Sequence, residues 1–186
     1  MPSPDAEETG SPPHAPHRAT KIRTALTVNG AAVLLTLVVL AVLRGVFPAP
    51  PVSGPDGRLA YGAGLLVWPA LVLLLMVFGV MAARGRALAL NPIDDPESRG
   101  LRIAQRVLSN SVEQTAILVP ALLALVVTIP LPHLSMAAVL TLVFVVGRLL
   151  FWIGYQVHPY ARAPGMAATL TATIVTVVWA VVGALG

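Results

Sequence analysis

Apolar positions along this chain come in runs too long for a globular core. A helix crossing a bilayer needs about 20 mostly apolar residues, because about 30 Å of hydrocarbon is traversed at about 1.5 Å per residue. No formal charge interrupts the stretch from Arg23 to Arg44, centred on residues 31–42, or that from Arg58 to Arg84, centred on residues 61–81. A third uncharged run, from Glu113 to Arg148, is cut by Pro130, Pro132 and His133. It therefore holds two spans, one ending near Ile129 and the next starting near Leu134. A fifth runs from about Gly165 to Gly186. Five spans, an odd number, place the two termini on opposite sides of the membrane.

Composition sharpens the class. The 186 residues are 56% hydrophobic and only 11% charged, with a mean hydropathy of +0.82 and no cysteine. A soluble domain carries roughly 25% charged residues, so an ordinary soluble enzyme and a disordered regulator are both excluded. Without cysteine there is no disulfide scaffold, thiolate metal site or cysteine nucleophile. The net charge of +4 is broken up by the uncharged runs, which points to a membrane and not to nucleic acid. No phosphate loop, zinc motif or nucleophile elbow is present, and no metal is expected.

The basic residues set the expected orientation. A cytoplasmic N-terminus puts ten of the twelve on the cytoplasmic side, and the reverse puts two there, so the positive-inside rule favours the former. Residues 1–24, with five prolines before position 18, are expected to be a disordered cytoplasmic tail. Residues 25–46 read as a retained anchor helix; the apolar core is longer than that of a signal peptide and the leader before it is too long. Eleven arginines to one lysine, with abundant Ala, Val, Gly and Pro, suggest a high-GC bacterial genome and hence a bacterial cell membrane.

Candidate chemistry lies where polarity enters the spans. Residues 97–129 read as one helix that begins in water, capped by Ser98 or Asp95, with Pro96 in its first turn. On it, Arg99, Arg102, Arg106, Asn110 and Glu113 fall within an arc of about 80° at about 100° per residue. A polar stripe inside a membrane must face protein or a water-filled pocket. Glu113, the only acid within a span, is placed to serve a site, to pair with Arg148 or Arg106 and tie helices together, or to form a transporter relay with Arg148. In the fourth span Arg148 lies about two turns inside and Tyr155 follows on the same face. His158 and Pro159 then end that helix, and Arg162 opens the fifth. Arg84, Arg86 and Arg99 suit headgroup contacts at helix ends. His133 suits a turn, while His14 and His17 sit in the tail.

Two motifs, Arg106-x3-Asn110-x2-Glu113 and Arg148-x6-Tyr155-x6-Arg162 with Gly154 and Gly165 beside it, resemble the signature of the membrane-associated proteins in eicosanoid and glutathione metabolism (MAPEG), and of its microsomal glutathione S-transferase-like members. The resemblance covers residues 61–186 and implies an all-α integral membrane fold. That fold is a four-helix transmembrane domain at 59–186 with one additional N-terminal transmembrane helix. It further implies a homotrimer, with a cleft between subunits that binds glutathione or another low-molecular-weight thiol as co-substrate. Arg102, Arg106, Asn110, Glu113, Arg148 and Tyr155 would bind substrate, and Arg162 would be catalytic by stabilising the thiolate. The implied function is a detoxifying thiol transferase or peroxidase acting on small hydrophobic electrophiles that arrive through membrane lipid. The alternative is a non-catalytic lipid-binding member. Against the family pattern, Phe151 replaces a polar residue four before Tyr155, Leu108 replaces a Gln or His, Gln114 follows the glutamate, Pro120 comes late, and the second arginine is shifted to Arg102. The chemistry is self-consistent: glutathione carries two carboxylates and one ammonium, matching several arginines and one glutamate. A guanidinium beside a thiol favours the nucleophilic thiolate.

Overall fold

In a computed structural model of the chain, the described residues are 15–88, 91, 93, 95–157 and 161–186, with side chains from Ile22 onward. They form helices α1 (Ala15–Val46), α2 (Gly54–Arg86), α3 (Arg99–Thr128), α4 (Ser135–Val157) and α5 (Ala163–Leu185), with a 3-10 turn at Leu131–His133 between α3 and α4. All five helices are long and apolar enough to cross a membrane, and no strand occurs among the described residues. Helix α1 starts at Ala15, so residues 15–24 of the expected tail already belong to it; residues 1–14, with His14, lie outside the described residues. The expected break at His158 and Pro159 lies outside them too.

Each helix end has a local cause. Ser98 caps α3, its Oγ accepting from the Leu101 N–H at 3.2 Å; Asp95 instead accepts from the Asn91 N–H at 2.7 Å within the preceding loop. Pro96 lies before α3, not in its first turn. At the far end of α3, where the last carbonyls have no helical partner, Arg58 Nη1 donates to the Val127 and Ile129 carbonyls at 2.9 and 2.8 Å. Beside it Arg44 on α1 meets His133 in the 3-10 turn at 3.3 Å. Proline and the 3-10 turn then reverse the chain into α4, as expected of that segment.

The helices alternate in direction around a core of Leu118, Leu122, Leu125, Val126, Leu134, Leu140 and Phe144, all buried. Small residues set the spacing between them. A Cβ on Gly62 of α2 would come 2.7 Å from Val126 of α3, and one on Gly183 of α5 would come 2.6 Å from the Thr128 hydroxyl. Helices α4 and α5 approach most closely at Gly147 and Gly165: a Cβ on Gly165 would strike the Phe151 backbone, and one on Gly147 would lie 2.8 Å from Thr169. Helix α1 packs outside this unit, along α5 and α4. The starts of α1, α3 and α5 and the ends of α2 and α4 share one end of the bundle, which carries most of the arginines.

Candidate functional site

At this arginine-rich end a cavity of about 590 Å³ opens between α1, α3, α4 and α5. Helix α3 contributes Arg106 and Asn110, α4 contributes Phe151 and Tyr155, and α5 contributes Ala163 and Met166, with Arg162 immediately before it. The fourth wall is α1, through Thr24, Ala25, Val28 and Asn29. Two cations, a phenol and two amides thus meet apolar surface in one hollow.

The aromatic side chains form a ladder between two guanidinium groups. Arg162 lies 4.7 Å from the Tyr155 ring centroid. Tyr155 meets Phe151 edge to face at 5.6 Å, and Arg148 lies 4.8 Å from the Phe151 ring on the inner side. Cation–π attraction of this kind fixes a guanidinium without neutralising its charge. Arg162 therefore keeps its positive charge at the start of α5, where unpaired amide N–H groups already favour an anion.

Arg148 is 1% exposed and forms the floor behind the cavity wall. Its Nη1 donates to Asn110 Oδ1 at 2.8 Å, and its Nη2 donates to the Thr169 hydroxyl and approaches Met166 Sδ at 3.7 Å. Thr169 in turn donates to the Gly165 and Met166 carbonyls of its own helix, both at 3.0 Å. One side chain from α4 so joins α3 to α5. With its carbonyl oxygen taken, Asn110 offers the cavity its amide N–H groups.

A family model for the MAPEG family matches residues 61–182, nearly the whole of α2 to α5. The chain belongs to the MAPEG family. No curated protein sequence matches it. Helix α1, and with it one wall of the cavity, lies outside the MAPEG match.

Within the MAPEG region the residues singled out from sequence divide into three groups. Arg106, Asn110, Tyr155 and Arg162 share the cavity, and Arg148 stands behind them. Arg102 and Glu113 do not line it. Arg102 donates to the Glu97 carbonyl at 2.6 Å, folding back over the start of its own helix. Glu113 is exposed on the outer surface of the chain. Of the readings open for Glu113, neither an ion pair or relay with Arg148 nor a pair with Arg106 is formed; Glu113 has no ion-pair partner among the described residues, and Arg148 bonds to Asn110 instead. The reason is angular: Arg102 and Glu113 occupy one edge of the arc of about 80° and Asn110 the other, and only the Asn110 edge turns inward.

Sequence reasoning missed Thr169, Met166 and the α1 residues. Thr169 was accessible in principle: it lies seven residues after Arg162 and four after Gly165, on one helix face. Phe151, noted only as a departure from the MAPEG pattern, proves to be the central rung of the aromatic ladder.

Proposed function

We propose that the chain is a membrane-embedded thiol transferase or peroxidase, using glutathione or another low-molecular-weight thiol against lipophilic electrophiles. The observation that carries this reading is the meeting of Arg106 and Arg162 in one cavity beside the start of α5. Membership of the MAPEG family supports it. Arg106 and the Asn110 amide bind the carboxylates of the thiol, and Arg162 holds the thiolate. Arg148, buried with no carboxylate partner among the described residues, adds positive potential that a low-dielectric wall screens poorly. In transfer, the thiolate attacks an electrophilic carbon, a C–S bond forms and the leaving group departs with the electron pair. In peroxidation it attacks the outer hydroperoxide oxygen; the O–O bond breaks, the alkoxide is protonated to the alcohol, and a second thiol converts the sulfenic acid to disulfide and water.

The proposed setting is the inner leaflet of a bacterial membrane, with the arginine-rich end cytoplasmic. The proposed assembly is a homotrimer in which the outward-facing Glu113 meets a neighbouring subunit, with the thiol bound in the cavity of each chain and not, as the resemblance implied, in a cleft between subunits. The second reading, a lipid-binding protein without catalysis, draws on the apolar part of the lining, Ala25, Val28, Phe151, Ala163 and Met166.

Protein purified in detergent, mixed with candidate cellular thiols, decides between them. Thiolate absorbance and conjugation of a chlorinated nitrobenzene are followed for the natural chain and for Arg162→Ala. Thiolate and product that vanish in the variant support the transferase; absence of both with every thiol leaves the binding protein.

A further inference from the structure

Helix α1 brings a hydrogen-bond acceptor to the arginine-bearing cavity. The threonines of its apolar stretch satisfy themselves on their own backbone: the Thr27 hydroxyl donates to the Thr24 carbonyl at 3.0 Å, and that of Thr36 to the Ala32 carbonyl at 2.7 Å. Asn29 is only half satisfied. Its Nδ2 donates to the Ala25 carbonyl at 2.8 Å, which fixes the way the carboxamide is turned. Its Oδ1 finds no such partner, because the backbone N–H groups of a helix interior are committed to carbonyls one turn back. No donor among the described residues reaches it. Asn29 lines the cavity, and an unmet carbonyl at membrane depth is costly.

The polar groups opposite are of the other kind. Arg106 and Arg162 can only donate, and Asn110 presents its amide N–H groups because its Oδ1 already accepts from Arg148 at 2.8 Å. The Tyr155 and Thr24 hydroxyls can do either. Among the described residues no carboxylate lines the cavity, and Glu113, the acid expected to match an ammonium, is exposed on the outer surface. A ligand held by two guanidinium groups is anionic. To meet Asn29 as well it brings an N–H donor, and beside those cations a neutral amide is tolerated better than an ammonium.

We infer that Asn29, on a helix outside the MAPEG match, is a specificity-determining residue whose Oδ1 accepts from a backbone-type amide N–H of the bound thiol. The ligand class is a peptide-type thiol, with a carboxylate on Arg106 and an amide on Asn29; a free ammonium contributes nothing. This rests on the thiol reading of the cavity and adds the feature that tells one thiol from another.

The test uses the full chain in detergent, titrated calorimetrically with S-methylglutathione, which cannot form a thiolate. Three analogues are compared with it: two in which an ester oxygen replaces one or the other amide N–H, and one without the amino group. One ester is expected to bind about tenfold more weakly, and the desamino analogue as well as the parent or better. Asn29→Ala removes the acceptor, adds no bulk and favours the helix, so circular dichroism should be unchanged. In that variant the parent should fall to the affinity of the weaker ester, while the ester itself is unaffected. Esters that bind the natural chain as tightly as the parent would mean that water meets Oδ1, and would overturn the inference. So would equal weakening of every probe by Asn29→Ala, a tenfold loss on removing the amino group, or failure of every probe to bind. An amide preference without thiolate formation by glutathione would sink the transferase reading alone, and thiolate formation without an amide preference would sink this one alone.

Discussion

Arg148 on α4 donates a 2.8 Å hydrogen bond to the side-chain carbonyl of Asn110 on α3, across the wall of the cavity. Arg148 has no acidic partner among the described residues, so the bond is made at the cost of burying a charge. Replacing Arg148 by an apolar group of similar size leaves the Asn110 carbonyl without its donor and frees the Asn110 side chain to turn. Arg148→Met is therefore expected to lose about 1–3 kcal/mol, the cost of stranding a buried acceptor, and to bind thiol about tenfold more weakly. Arg148→Ala, which leaves a hole, should lose about 3 kcal/mol. Thermal unfolding in detergent and thiol titration measure the two effects separately.

The contact of α4 with α5 depends on hydrogen in place of a side chain. A Cβ on Gly165 would strike the Phe151 backbone, and backbone cannot swing aside as a flexible side chain can. Gly165→Ala should force the helices apart at a cost of about 3 kcal/mol and displace Arg162 from the cavity. Gly30→Ala on α1, with nothing within 4 Å of the added carbon, is expected to leave stability unchanged or slightly higher. Unfolding temperatures of the two variants form the comparison.

How far the fold could be read from sequence follows from which constraints were strong. The bilayer imposes a length on every apolar run, so the positions of Pro130 and His133 and the uncharged stretches were enough to place all five helices. The polar stripe on α3 was equally visible, but an arc of about 80° is as wide as the boundary between inside and outside; Asn110 and Glu113 on opposite edges went to opposite environments. The seat of α1 was invisible for a different reason. Its residues are apolar on every side, so no pattern marks the face that meets α4 and α5 or shows that Asn29 closes a cavity. The spacing of Thr169 to Arg162 and Gly165 was a weak signal, because a threonine in an apolar helix usually satisfies itself on its own backbone, as Thr176 does on the Ala172 carbonyl at 2.8 Å.

The two cavity arginines should separate in kinetics. Arg106 comes from a helix wall and serves ground-state binding of carboxylate, whereas Arg162 stands where the thiolate forms. Arg106→Gln is expected to raise the KM for thiol about tenfold or more, the worth of one charge-assisted hydrogen bond, with kcat little changed. Arg162→Gln should lower kcat and the thiolate absorbance together. The two profiles would be exchanged if Arg106 were the thiolate partner.

Glu113 supplies the test of assembly. A carboxylate within a spanning segment costs roughly 2.5–3.5 kcal/mol on insertion scales, yet this one is exposed on the surface of a single chain with no ion-pair partner among the described residues. Such a group is retained in a membrane when another subunit covers it. Glu113→Leu removes no ion pair within the chain, so the helices should keep their packing and their circular dichroism. The assembly should change: chemical cross-linking and native mass spectrometry in detergent are expected to show a trimer for the natural chain and a shift toward smaller species for the variant. Glu113→Gln, which keeps hydrogen-bonding capacity without the charge, should fall between the two. A variant that remains fully trimeric would mean that Glu113 faces lipid or solvent in the assembly, and the interface would then have to lie on another face of the bundle.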